Sequence, residues 1–208
     1  LEPEADVVVE CAPAELLADI ISPFLRARKK AIVLSVGAIL FKPELIELAK
    51  NTGGVIMVPT GALIGLDAMI AAAEGEIFSV KMVTNKPPLG LKGAPHLIEN
   101  NISVDGLTEP LKVFSGNARE AAKGFPANLN VVVALALTGI GPEKTHLEIW
   151  ADPTVVRNTH TITVDSDSAK FTMKMENIPS ENPKTGRIVA QSVVAMLRKM
   201  LSTFQVGT

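Results

Sequence analysis

The chain has 208 residues, 47% of them hydrophobic and 20% charged, which is enough to bury a sizeable core as one domain or two small ones. Its net charge of −2 excludes the basic surface that would attract nucleic acid or anionic lipid, and its single Cys11 excludes an intramolecular disulfide and a cysteine-based zinc site; no metal site is expected. No apolar run has the length of a membrane span and the opening Leu1-Glu2-Pro3-Glu4 is acidic, so neither a membrane protein nor a signal peptide is indicated, and a cytoplasmic protein is expected.

Residues 5 to 11 form a short β-branched run of the kind found in parallel strands buried on both faces. Pro13 then opens a helix-patterned segment carrying Leu16, Leu17, Ile20 and Ile21. A second apolar run, residues 31 to 36, ends at Gly37, a second helix pattern covers 43 to 50, and a third run follows Gly53-Gly54 at 55 to 58. Strand, helix, strand, helix, strand predicts a doubly wound α/β arrangement on a parallel sheet. The fingerprint Gly-x-Gly-x-x-Gly is missing from it: Gly139-Ile140-Gly141-Pro142-Glu143-Lys144 has Lys144 at the third glycine and no helix after it, and reads as the end of the apolar segment before it.

From Pro59 the pattern breaks into Thr60-Gly61-Ala62-Leu63-Ile64-Gly65, then a helix running to about Ala73. Glycines and a hydroxyl at a strand's carboxyl end suit either a ligand-binding loop, where backbone N–H groups meet a carboxylate or phosphate, or a plain tight turn. A strand over 77 to 84 leads into Asn85-Lys86-Pro87-Pro88, where the prolines leave Lys86 on a loop, facing a cleft or solvated. Residues 89 to 113 carry Pro, Gly and Asn with short strand patterns and place His96 at the surface; 116 to 122 and the apolar 128 to 138 read as helices, the latter buried. Three strand-like stretches follow, at 145 to 151, 157 to 164 and 169 to 176, and suggest an antiparallel portion of a second sheet. In the first, His146 shares the solvent side with Glu148 and Trp150. In the second, His160 shares a face with Ile162 and Val164, so a lone imidazole sits on an apolar strand face, either as a core histidine satisfied by its neighbours or as an acid/base near neutrality. A final helix from Ile188 carries an apolar stripe, read as core, and a basic last turn.

Several of these pieces, in this order, resemble the L-aspartate dehydrogenase family: Val7-Val8-Val9-Glu10-Cys11-Ala12, Leu34-Ser35-Val36-Gly37-Ala38, Thr60-Gly61-Ala62, and Thr84-Asn85-Lys86-Pro87-Pro88. To these add Gly116-Asn117-Ala118-Arg119-Glu120-Ala121 with Phe125-Pro126 and Asn128-Leu129-Asn130, Ala151-Asp152-Pro153 with Asn158-x-His160, and Asn182-Pro183-Lys184-Thr185. The resemblance implies an enzyme that uses NAD or NADP to interconvert L-aspartate and iminoaspartate, a homodimer with a small-molecule substrate. It implies His160 as the catalytic histidine and cofactor contacts at Ala62, Asn130, Cys11 and Ala12. The two substrate carboxylates would be met by the backbone N–H groups of Gly61 and Ala62, by Lys86 and by Lys184, with the Thr60 hydroxyl standing where the family usually has Ser.

The family's opening strand, glycine fingerprint and ribose-selecting residue have no counterpart: either about 50 residues precede this sequence in a longer protein, which is the expectation, or the protein lacks most of its pyrophosphate site. The domain reading is residues 1 to 60 with the helix 188 to 208 as the remainder of a Rossmann domain, and 61 to 187 as a mixed α/β catalytic and dimerisation domain. The rival readings are a dehydrogenase of another amino acid and a non-catalytic relative acting as an interaction module.

Overall fold

The computed structural model describes residues 2–126, 129–181 and 185–207. Its first unit follows directly from the three β-branched runs, which become β1 (Val7–Glu10), β2 (Lys30–Val33) and β3 (Val55–Met57), all parallel, in the order β1-β2-β3. Parallel neighbours need crossovers. These are α1 (Leu17–Arg26), and α2 (Val36–Ile39) with α3 (Pro43–Thr52); α1 and α3 pack on each other and bury Leu17, Ile21, Leu25 and Leu45 against Ala31 and Val33. A Cβ on Gly54 would sit 2.6 Å from the Leu25 carbonyl oxygen, so glycine is what lets β3 start hard against the end of α1.

After the loop at 59 to 65 and α4 (Leu66–Ala72), a second sheet contains β4 (Ile77–Lys86), β5 (Leu111–Asn117), β6 (Thr145–Ala151), β7 (Thr159–Ser166) and β8 (Lys170–Glu176). The spatial order is β5-β6-β4-β7-β8, with β4 and β6 parallel and every other pair antiparallel. Three consecutive antiparallel strands were expected from the sequence; instead β4 lies between β6 and β7, and only β7 and β8 form a hairpin. The turn residues 165 to 168 specify that local connection, whereas the pairing of β4 with both β6 and β7 is long-range and leaves no local signal.

The segment 89 to 113 does not form its expected short strands ahead of β5. It contains a 3-10 turn at Pro88–Gly90 and α5 (Pro95–Glu99), and His96, expected at the surface, is part-buried with its ring 5.2 Å from that of Phe114 and 5.3 Å from that of Phe125. Nor does a helix start at Gly116: β5 runs on through Asn117 and α6 (Ala118–Gly124) follows. Asn117 caps it, its side-chain oxygen accepting from the Glu120 N–H at 2.9 Å while Glu120 accepts from the Asn117 N–H at 3.0 Å, and this reciprocal pair fixes the start better than composition can.

The apolar segment before Gly139 is the buried helix α7 (Asn130–Thr138), packed against the sheet with α4 and α6. The last helix, α8 (Ile188–Leu201), departs from its reading as core: Val193 is buried, but Val194 and Leu201 are 49% and 88% exposed. Helical spacing defines an apolar stripe without saying what covers it. No described helix is long and apolar enough to cross a membrane.

Candidate active site

The carboxyl ends of β1 and β2, the loop after β3, the end of β4, the start of α7 and the start of β7 converge on one cleft of about 430 Å³ between the two sheets. Ligands of open α/β sheets bind at such strand ends. Of the residues singled out from the sequence, Cys11 and Ala12 line it from the loop after β1, Thr60, Gly61 and Ala62 from the loop after β3, Lys86 from β4, Asn130 from α7 and His160 from β7. Lys184 lies outside the described residues.

His160 faces inward because β7 alternates strictly, its buried positions being His160, Ile162, Val164 and Ser166. Across the antiparallel ladder it stands opposite Thr84, whose Oγ1 is 3.1 Å from the His160 Nδ1. Burial to 4% exposure, with the Lys86 charge as a second cause, pushes the imidazole down to about 3 and not to the near-neutral value expected from the sequence; it is a neutral, weaker base with one ring nitrogen left as an acceptor.

Lys86 corrects the sequence reading. It is neither on a loop nor solvated but is the last residue of β4, 5% exposed, and desolvation lowers its ammonium to about 8. A signal for this was available, since Val80, Met82, Thr84 and Lys86 keep the two-residue period of the buried face. Beyond β4, Asp152 braces the turn into β7: its N–H donates to the Lys86 carbonyl at 2.8 Å, and its carboxylate accepts from Asn85 Nδ2 at 2.9 Å and from the Thr154 N–H at 2.9 Å. Burial alone would raise the Asp152 carboxyl, but these hydrogen bonds hold it below its ordinary range.

The loop after β3 is turned by Gly61 at φ +63°, and the Gly61 N–H donates to Ser192 Oγ of α8 at 3.1 Å. That N–H, expected to meet a substrate carboxylate, is therefore engaged within the protein, which leaves the Ala62 N–H of the expected pair. The Ala62 carbonyl accepts from Asn177 Nδ2 at 3.2 Å. Asn130 Oδ1 accepts from the Gly37 N–H at 2.9 Å and so ties the start of α7 to the first unit.

From the sequence, Glu10 and Thr84 stand only as parts of motifs, without a role, and Ser192 and Asn177 are not singled out. Glu10 ends β1, is 1% exposed, and accepts from the Ala12 N–H at 3.0 Å, the Ser35 N–H at 2.9 Å and the Ser35 hydroxyl at 3.0 Å. It thus latches together the two strand-end loops on the first unit's side of the cleft. A carboxylate directly after three valines was the available sign, because a buried strand end tolerates one only where donors meet it.

Cys11, Ala12 and Ser35 beyond the ends of β1 and β2, and the turned loop, line the same open cleft as His160 with small side chains, which fits a flat ring such as nicotinamide. Among the described residues no cluster of His, Cys, Asp and Glu could hold a metal ion.

Comparison with known proteins agrees with this geometry. Residues 67–200 match the family described as aspartate dehydrogenase, C-terminal, and residues 1–59 the one described as homoserine dehydrogenase, NAD binding domain. L-aspartate dehydrogenase 3 of Bordetella bronchiseptica is 67% identical over 204 residues, covering 98% of this chain and 75% of that protein. The L-aspartate dehydrogenase of Bradyrhizobium diazoefficiens is 62% identical, covering 98% and 73%. The crystal structure of aspartate dehydrogenase from Thermotoga maritima superposes with a TM-score of 0.83 at 27% identity, covering 100% of this chain and 80% of that one. With an NAD-binding sheet on one side of the cleft and the dehydrogenase's C-terminal region on the other, the chain belongs to the aspartate dehydrogenase family.

Proposed function

We propose that this cleft oxidises L-aspartate to iminoaspartate, which hydrolyses to oxaloacetate and ammonia, with NAD or NADP as cofactor and His160 as the proton-handling group. The observation that carries the assignment of His160 is an imidazole, 4% exposed, at the wall of a cleft that also holds a buried lysine. When bound, the cofactor supplies the hydride acceptor that amine oxidation requires. Cys11, Ala12, Ala62 and Asn130 would hold it, on the side of the cleft that Glu10 braces.

The chain's own residues handle protons and charge. For the His160 Nε2 to take a proton from the substrate amine, Nδ1 must carry the ring hydrogen and donate it to Thr84 Oγ1, which makes Thr84 the residue that sets the tautomer. Lys86 would neutralise a substrate carboxylate, and the Thr60 hydroxyl and Ala62 N–H would bind the same group from the loop. Residues 1 to 60 with α8 act as the nucleotide-binding part and 61 to 187 as the catalytic part. A homodimer joined through the second sheet completes the reading, supported by Trp150, which is only part-buried on that sheet's open face, and the cytoplasm is the compartment proposed for it.

The test is reduced-cofactor oxidation with oxaloacetate and ammonia, using full-length protein. Turnover should require both substrates, and His160→Ala should reduce it at least about a hundredfold while leaving NAD(P)H binding intact. A His160→Ala enzyme within about threefold of wild type would remove the imidazole from the mechanism.

A further inference from the structure

A second cleft, of about 230 Å³, opens off the first and shares Lys86, Asn158, Asn177, Thr185 and Gly186 with it. None of the first unit's strand-end residues lines it, so it lies on the side away from the cofactor contacts. Its further wall carries Arg157, and no described acidic side chain lines it. Two cationic residues therefore flank one small cavity, Lys86 at its junction with the active site and Arg157 beyond. Leu89 and Val156, 82% and 84% exposed, line the same cavity as Arg157 and form its apolar lips.

Arg157 is held between fixed points. The Asp152 turn anchors the chain before it, and the Asn158 carbonyl after it accepts from the Asn177 N–H at 2.9 Å. Among the described residues no carboxylate comes within ion-pair distance of Arg157; Glu176, which feels its charge, is paired with Lys174 at 2.7 Å. Arg157 precedes His160 by three residues, in the bend that leads into β7, so it stands within about 10 Å of chain from the imidazole. One cation at the junction and one beyond it match a short molecule with a carboxylate at each end.

Resting on the aspartate reading above, we propose that this second cleft is the subsite for the carboxylate at the far end of a dicarboxylic substrate, and that Arg157 is the residue that recognises it. The α-carboxylate and reacting carbon then stay beside Lys86 and His160. The methylene between the carboxylates contacts the apolar lips, and an amino acid lacking the second carboxylate leaves the guanidinium without its partner. Arg157 is thus a specificity residue and takes no part in proton transfer.

The experiment compares wild type, Arg157→Met and Arg157→Lys as full-length proteins. It measures kcat and KM for L-aspartate, inhibition by succinate and by butyrate, and NAD(P)H affinity. Because Arg157 is exposed and Met keeps most of its apolar stem, the fold should survive. In Arg157→Met the KM for aspartate should rise about ten- to a hundredfold with kcat within about threefold, the range expected for one lost charge-assisted pair. Succinate should lose the same factor, butyrate and NAD(P)H should bind as in wild type, and Arg157→Lys should recover part of the loss. A KM within about twofold of wild type, an equal loss for butyrate, or a loss of NAD(P)H binding would each overturn the subsite. Wild-type protein that neither turns over nor binds aspartate would instead bring down the functional reading, and the subsite with it.

Discussion

At the scale of single residues, two bases in one cleft have been moved from their ordinary ranges by the same cause. Desolvation disfavours the charged form of each, so the imidazole is left neutral and the ammonium only weakly held. Lys86 is near 8 without a ligand, hence mostly protonated at neutral pH and able to meet a carboxylate. It loses that ability as the pH rises through 8. Succinate, which cannot be oxidised as an amine, isolates this effect. Its affinity should fall by up to about tenfold between about pH 7 and pH 9, and in Lys86→Arg the fall should disappear, because a guanidinium stays charged. A flat wild-type profile would mean that Lys86 does not touch the dicarboxylate.

At the scale of elements, the cleft depends on strand ends being held in place, and Glu10 does this for β1 and β2. Glu10→Ala would leave three donors without their acceptor and cost about 2–4 kcal/mol, whereas Glu10→Gln, which keeps one oxygen, should cost less. Both should weaken NAD(P)H more than succinate, since the loosened loops carry Cys11, Ala12 and Ser35. Urea unfolding with a fluorescence titration of NAD(P)H checks this, and a Glu10→Ala protein as stable and as tight-binding as wild type would contradict it. How far these elements could be read from the sequence follows from what periodicity reports. Alternation in β6 and β7 put His146 and His160 on the correct faces, because a strand's two faces are written into successive residues. The same alternation could not show β4 inserted between them, since pairing is settled by contacts far apart in the chain. Composition also placed the start of α6 too early, where a cap decided it, and the two prolines after Lys86 put it on a loop, although its place facing the cleft was one of the two readings. The loop residues from Thr60 to Ala62 were found, but the engagement of the Gly61 N–H by Ser192, 131 residues away, was not legible.

At the scale of the whole molecule, the charge arrangement that suits the cleft is set against folding stability. His160 titrates at 6.5 when unfolded and at about 3 when folded, so between those values the unfolded chain takes up a proton that the folded one refuses. Stability from this group is complete above pH 6.5 and is lost as the pH falls, by about 2 kcal/mol at pH 5. Lys86, at 10.5 unfolded and about 8 folded, obeys the same sign at the other end: below 8 the folded state carries the full penalty of a buried ammonium, and stability rises as the pH climbs from 8 to 10.5. Asp152 and Glu148, held below their ordinary ranges, add a loss only at lower pH. All these contributions have one direction, so the second unit, which contains β4 and β7 at its centre, should gain stability from pH 5 to pH 9. Urea midpoints across that range should rise for wild type, His160→Gln should flatten the acid limb and Lys86→Met the alkaline limb. If both variants kept the wild-type slope, neither group would be desolvated to the degree that the cleft's chemistry requires, and the neutral imidazole would lose its physical basis.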